Sequence, residues 1–332
     1  MTIRLQLTDI KIIRPQRTQV TFIALSLGVV LLSLSAILTK SLMAELHPEA
    51  IIFNRFWIAS VALGSIYCFQ NAIAKKNGKE ILTQEPLTLQ HWLLLMGAGM
   101  CLAGTLITWA LSFDLTTIAH SCLLHYQNPI FTTLGAWLLF GQSFDRKFIL
   151  GLILTITGAS IVSLEDLQFL QGSLFGDGLA LFSGILFSGE LLIIGKLRDK
   201  LSTLTVTLGV CFFSGLFAFP FAVFDAVLHG HSLFPTSLSG WVLVVSLGFI
   251  VQVLGHFLFY YSLKQVTSGF AAIALMLDIS ISSFLAWIIF AEQLTMLDRL
   301  SLPILFLGIY LAKSGEGVEK SEQLREQSAI AS

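Results

Sequence analysis

One acidic side chain stands inside an apolar stretch of the sequence: Asp278, in LMLDISIS (275–282). A charged carboxylate at the centre of a lipid bilayer costs at least ~2.5 kcal/mol, so Asp278 is expected to face a protein interior or a water-filled cavity. Such a residue could bind substrate or carry a proton. The alternative is a structural hydrogen bond to a neighbouring helix.

A second acid, Glu190, lies in another apolar stretch. A carboxylate removed from water takes up a proton more readily, so Glu190 or Asp278 could bind and release protons during a working cycle. For Glu190 the alternative is a salt bridge or snorkelling toward Lys196. Arg55, in a third apolar stretch, is expected to cap backbone carbonyls or to pair with an acid.

Uncharged polar side chains recur at helical spacing in these stretches, as expected of a cavity wall. The candidates are Ser121, His125, Asn128 and Thr132 in one stripe, Gln252, His256 and Tyr260 in a second, and Trp109 and Ser282. Each alone could instead form an interhelical hydrogen bond, worth about 0.6 kcal/mol in membranes. Two stripes together favour a cavity that binds a small molecule.

The elements that must position these residues are membrane helices. The chain has 332 residues, of which 55% are hydrophobic and 12% charged, with a mean hydropathy of +0.83. Ten apolar runs are long enough to cross a ~30 Å hydrocarbon layer, and backbone in lipid must satisfy its own hydrogen bonds, which predicts helices. The runs are 20–43, 50–70, 92–113, 118–140, 147–164, 174–196, 203–226, 239–262, 268–290 and 296–313. The predicted fold is all-α and integral to the membrane.

Basic residues predict the orientation. With both termini in the cytoplasm, all lysines and arginines except Lys40, Arg55 and Arg299 fall on the cytoplasmic side, as the positive-inside rule requires. The membrane is expected to be the plasma (inner) membrane. The lipid bilayer is therefore an expected partner.

An internal repeat relates the two halves of the chain. HYQNPIFTTLGAWLLFGQ (125–142) aligns with LMLDISISSFLAWIIFAE (275–292) at an offset of 150, so Asn128 corresponds to Asp278. Each half contains five predicted helices, an odd number, so the second half must be inverted relative to the first. The predicted organisation is a cytoplasmic segment 1–19, five-helix halves 20–164 and 174–313, and a mobile cytoplasmic tail 314–332.

The chain resembles the EamA type of the drug/metabolite transporter superfamily over nearly its whole length. The resemblance rests on FNRFWIA (53–59), ALSFDLTTIAHSCLLHYQNPIFTTLGAWLLFGQ (110–142), GLILTITGASIV (151–162) and FAEQLTMLDRLSLPILFLGIYLA (290–312). It implies a ten-helix carrier with a central cavity lined mainly by helices 1, 3, 4, 6, 8 and 9. It also implies export of amino acids or related, drug-like metabolites by alternating access.

Other functions remain open to different degrees. An exchanger of anionic, sugar-phosphate-like metabolites would need several basic cavity residues, and only Arg55 and Lys40 qualify. A non-transporting scaffold or receptor is a further alternative, and a homodimer is left open. HExxH, GxSxG, Walker and CxxCH motifs do not occur, so no enzyme, cofactor or metal site is expected, and no nucleic-acid partner either.

Overall fold

The computed structural model describes residues 15–76, 87–163, 173–290 and 296–330, and every regular element in these ranges is a helix. Predicted features that fall in 1–14, 77–86, 164–172, 291–295 and 331–332 lie outside the described residues. The helices are α1 (Pro15–Leu42), α2 (Pro48–Lys76), α3 (Leu89–Phe113), α4 (Ile118–His125), α5 (Asn128–Phe140), α6 (Arg146–Ser163), α7 (Leu174–Arg198), α8 (Thr203–His229), α9 (Leu238–Ser246), a π-helical segment (Leu247–Gly255), α10 (His256–Ser262), α11 (Ser268–Leu275), α12 (Leu277–Phe290) and α13 (Met296–Ile330).

Each predicted apolar run is helical, and in the described ranges seven helices have the length and composition to cross a membrane. They are Gln19–Leu42, Pro48–Lys76, Leu89–Phe113, Leu174–Arg198, Thr203–His229, Leu238–Ser262 and Ser268–Ile289. The chain is therefore an integral membrane protein of all-helical fold. Helix α13 continues to Ile330, so the tail from residue 314 is helical where its sequence shows no periodicity; its mobility stays a prediction.

Two helical rods are broken at equivalent places. The rod 118–140 turns at Tyr126 and Gln127, between α4 and α5, and the rod 268–290 turns at Met276, between α11 and α12. Both rods begin after a threonine N-cap, Thr117 or Thr267, whose side chain accepts a backbone N–H three residues on. The breaks and the caps are both separated by 150 residues, the offset of the sequence repeat.

A third rod contains an irregularity that no local sequence signal predicts. Between α9 and α10, Leu247–Gly255 forms a π-helical segment. π-Helical turns are rare and are often found at functional sites, because the wider backbone redirects side chains. Here the segment carries Gln252, which is fully buried.

Small residues bring two helices together at one side of the bundle. Helices α6 and α13 pack along their lengths, and a Cβ on Gly151 would lie only 2.5 Å from the carbonyl oxygen of Gly308. Gly308 in turn faces the backbone nitrogen of Thr155, at 2.7 Å from where its own Cβ would lie. Close backbone approach of this kind is how membrane helices associate in the absence of a hydrophobic driving force between them.

One end of the bundle, here called the histidine end, is formed by the α1–α2 connection (43–47) and the α8–α9 connection (230–237). Glu45 of the first connection accepts hydrogen bonds from Ser237 N (2.7 Å) and Ser237 Oγ (2.6 Å). Thr236 donates from its backbone N and from its Oγ1, the latter at 2.9 Å. These bonds, chiefly those from Ser237, lower the pKa of Glu45 to about 2. Glu45 thus joins the two connections at the N-terminus of α9.

We expect Glu45→Gln to lower the melting temperature of the purified protein, because an amide is a weaker acceptor for these four donors. The folded state lowers the pKa of Glu45 from 4.5 to about 2, so the stabilisation is complete above about pH 4.5 and is lost as pH falls toward 2. Melting curves of both proteins between pH 3 and 7 should show a difference in melting temperature that becomes smaller as the pH falls. Asp114→Asn, at an exposed acid in the α3–α4 connection, serves as control. Equal melting temperatures at pH 7, or a difference that stays constant down to pH 3, would contradict this role of Glu45.

Candidate functional site

A buried acid lies in the middle of the bundle on α7. Glu190 is 1% exposed, and its Oε1 accepts a hydrogen bond from the hydroxyl of Tyr260 on α10. Its second oxygen, Oε2, is buried without a hydrogen-bond partner in the described residues. Lys196, the alternative partner suggested by the sequence, is exposed at the end of α7. The free oxygen of Glu190 is therefore available to a ligand or a proton.

A buried cation lies on α2 and contacts the same rod that carries Tyr260. Arg55 donates to Oε1 of Gln252 from Nε (3.1 Å) and Nη2 (2.9 Å), and to Ser35 Oγ on α1 from Nη1 (3.3 Å). The guanidinium is held by neutral oxygens, where the sequence suggested carbonyl capping or an acidic partner. Its positive charge is thus oriented without being neutralised by a carboxylate in these contacts. His256 lies between Gln252 and Tyr260 in sequence, and its ring packs edge-on against Tyr260 at 5.5 Å.

A second group of candidates gathers around His125. Its ring stacks on Trp109 of α3 with centroids 4.2 Å apart, and its Nδ1 lies 2.7 Å from Ser183 Oγ on α7. Trp109 Nε1 is buried without a hydrogen-bond partner in the described residues. Ser121 lies 2.5 Å from Ser112 Oγ and is fully buried, so it joins α4 to α3.

The break between α4 and α5 exposes backbone carbonyls that side chains then satisfy. Pro129 has no N–H to bond the carbonyl of His125, and Asn128 Nδ2 donates to that carbonyl instead (3.2 Å). The carbonyl of Asn128 accepts from Thr132 Oγ1 (2.9 Å) and from Ser188 Oγ on α7 (2.8 Å). Asn128 Oδ1 is left buried without a partner in the described residues.

Asp278 lies in the first turn of α12, next to α1. Its Oδ1 accepts from Ser282 Oγ (3.2 Å), which also reaches the backbone carbonyl of Ser33 (3.1 Å). Asp278 and Asn128, equivalent in the repeat, thus have different partners, on α1 and α7 respectively. The structure brings the predicted residues into three adjacent groups, around Glu190, His125 and Asp278, instead of one continuous wall.

These groups offer complementary chemistry to a small polar ligand. Six buried side-chain polar atoms have no partner in the described residues, and three of them belong to these groups: Glu190 Oε2, Trp109 Nε1 and Asn128 Oδ1. Buried polar atoms are normally paired, so unpaired ones indicate where a ligand or water could bind. The other candidates all have hydrogen-bond partners within the protein, namely Ser121, His125, Thr132, Gln252, His256, Tyr260, Asp278 and Ser282.

Known proteins resemble this chain over most of its length. An uncharacterized transporter of Archaeoglobus fulgidus is 24% identical over 296 residues, which cover 88% of this chain and 96% of that protein. The uncharacterized transporter YetK of Bacillus subtilis is 27% identical over 248 residues, covering 72% and 70% of the two chains. A protein of known crystal structure, 17% identical, shares the fold with a TM-score of 0.69 and covers 89% of this chain and 96% of its own.

The family comparison agrees with these relatives. The EamA-like transporter family matches twice, at residues 20–164 and 174–313, the same residues as the two halves predicted from the sequence. Because these two matches together span most of the sequence, the chain belongs to the EamA-like transporter family.

Proposed function

We propose that this protein is a secondary transporter that exports amino acids or related, drug-like metabolites by alternating access. The observation that carries this proposal is that two buried side chains of opposite charge type, Arg55 and Glu190, are each bonded to the rod 238–262. An amino acid carries a carboxylate and an ammonium group, which a fixed guanidinium and a fixed carboxylate can bind. The unpaired oxygen of Glu190 supplies a hydrogen-bond acceptor for the ammonium group.

Ten spans arranged as two inverted halves are part of this proposal. The helix contacts support it, because each contact has a counterpart between the equivalent helices of the other half. Helix α3 packs on α7 as α10 packs on α1, and α5 packs on α7 as α12 packs on α1. The contacts of α2 with α8 and of α6 with α13 join equivalent helices. The two helix breaks, 150 residues apart, support the same symmetry.

The different structures of the two ends of the bundle support alternating access. At the histidine end, Glu45 fastens the two connections together. At the opposite end, here called the lysine end, a cavity of about 500 Å³ is lined by the ends of α5 and α7 and by the α10–α11 connection, including Lys196 and Lys264. Its wall includes Leu192, two residues after Glu190. With both termini in the cytoplasm, as basic residues predict, this cavity faces the cytoplasm and suits the loading of an exported substrate.

An exchanger of phosphorylated anions is less well supported. Such a site would need several basic groups to hold phosphate. Arg55 is instead accompanied by the neutral side chains of Gln252 and Ser35, and the rod that carries Gln252 also contacts an acid, Glu190, through Tyr260. Arg198, the other buried arginine of the described residues, donates to backbone carbonyls of Tyr260 and Leu201.

The proposal is tested with purified protein in liposomes loaded with a mixed pool of amino acids and small metabolites. We expect the wild type to release amino acids faster than protein-free liposomes. Asp278→Asn should release them about tenfold more slowly, because it removes the carboxylate charge and so weakens a charge-assisted hydrogen bond by about 1.4 kcal/mol. Release from wild type equal to that from empty liposomes would overturn the proposal and favour a scaffold or receptor. Equal release by both proteins would make Asp278 structural.

A further inference from the structure

Three histidines and two acids meet at the histidine end, away from the buried charges. Nδ1 of His231 lies 3.0 Å from Asp225 Oδ1 and 3.0 Å from Asp225 Oδ2, and Nδ1 of His47 lies 3.4 Å from Asp225 Oδ2. His229 Nδ1 is 3.0 Å from Asp225 Oδ1, and His47 Nδ1 also contacts Glu49. The rings of His47 and His231 stack with centroids 4.4 Å apart.

We propose that His47, Asp225 and His231, with Glu49 or His229 as a further ligand, form a binding site for a divalent transition-metal ion such as Zn²⁺. One ligand atom from each of the three lies within 4.8 Å of the others. A tetrahedral Zn²⁺ with bonds of 2.0–2.1 Å has ligand atoms about 3.3 Å apart, close to the separations found here. The ion would replace the protons that these nitrogens and oxygens now share.

The charge and the ligand types select the ion. Two carboxylates and three neutral imidazoles carry a net charge of about −2, which a divalent cation neutralises. Imidazole nitrogen suits Zn²⁺, Cu²⁺ and Ni²⁺, whereas Mg²⁺ and Ca²⁺ prefer all-oxygen sites. The side chains of His47 and His231 are each 42% exposed, so an ion in solution can reach them, while Asp225 is only 8% exposed and is held firmly.

The position of the site gives the ion a mechanical effect. His47 and Glu49 belong to the first family-matched segment, and Asp225, His229 and His231 belong to the second. A metal bound here would tie the two segments together at the same end where Glu45 fastens them. Zn²⁺ is therefore expected to hold this end closed and to slow transport. The slowing rests on the proposed function, whereas the binding does not.

The binding test uses the full-length protein in detergent, freed of metal by EDTA, with ZnCl2 as the probe and MgCl2 and CaCl2 as controls. We expect about one Zn²⁺ per chain by equilibrium dialysis, and a melting temperature raised by about 5 °C or more at a large excess of zinc over Kd. Asp225→Asn and His231→Ala should each weaken binding about tenfold or more. His120→Ala, which removes a histidine near another aspartate, Asp177, should bind as the wild type does.

The outcomes separate clearly. No zinc-dependent shift in the wild type, or binding that is equal in Asp225→Asn, His231→Ala and the wild type, would overturn the site. His47→Gln provides a third variant if either of the first two melts early without metal. If zinc binds at this site but amino-acid release from proteoliposomes does not change, the proposal that zinc holds this end closed is contradicted, whereas the proposed binding site is supported.

Discussion

Glu190→Gln is expected to lower the rate of amino-acid transport about 30-fold or more. Loss of one member of a buried, hydrogen-bonded charge pair costs about 2–5 kcal/mol, and each 1.4 kcal/mol corresponds to a factor of ten. Glutamine preserves the shape of Glu190 and an acceptor for the Tyr260 hydroxyl, but it offers no negative charge to an ammonium group. The measurement is initial uptake into proteoliposomes, with wild type and variant matched for reconstituted protein.

Two comparisons decide what Glu190 does. Asp114→Asn neutralises an exposed acid and should leave the rate unchanged. Exchange of labelled for unlabelled substrate, with no pH gradient, separates the two roles open to a buried carboxylate. A variant that loses exchange as well as gradient-driven uptake has lost substrate binding, whereas one that keeps exchange has lost only proton coupling. Full gradient-driven uptake by Glu190→Gln would contradict both roles.

The sequence predicts the helices better than it predicts their partners. Apolar runs give the helical segments to within about six residues, because composition and length alone decide whether backbone can lie in lipid; the exception is α13, which continues beyond the run 296–313 to Ile330. The sequence predicts both rods as continuous helices, so the two helix breaks are not predicted, although they lie at the 150-residue offset of the repeat and Pro129 gives a local reason for one of them. The π-helical segment has no local sequence signal of this kind, since neither a proline nor a pair of glycines directly precedes Gln252.

The contacts of the candidate site could not be inferred from periodicity. Spacing places Gln252, His256 and Tyr260 in one stripe, and the structure keeps them on one rod. Their partners, Arg55 on α2 and Glu190 on α7, are distant in sequence and depend on how helices pack. The histidine cluster could not be predicted from the sequence either, because His47 and Asp225 become neighbours only when the α1–α2 and α8–α9 connections meet.

Gly151→Ala is expected to destabilise the protein by about 1–3 kcal/mol, the usual cost of overpacking a close interface. A methyl group at residue 151 would lie 2.5 Å from the Gly308 carbonyl oxygen and 2.9 Å from Ala312 Cα. Both are backbone atoms, which cannot rotate away as a flexible side chain could, so α6 and α13 would have to separate. The melting temperature in detergent should fall by several degrees.

The matched control for this prediction is Gly178→Ala on α7. A Cβ there would meet no atom within 4 Å, so the substitution tests the helix propensity of alanine alone and should leave the melting temperature equal or slightly higher. If Gly151→Ala melted at the same temperature as Gly178→Ala, the α6–α13 contact would be looser than described. If it melts early yet still exchanges substrate at permissive temperature, this interface stabilises the bundle without taking part in the movement between its two ends.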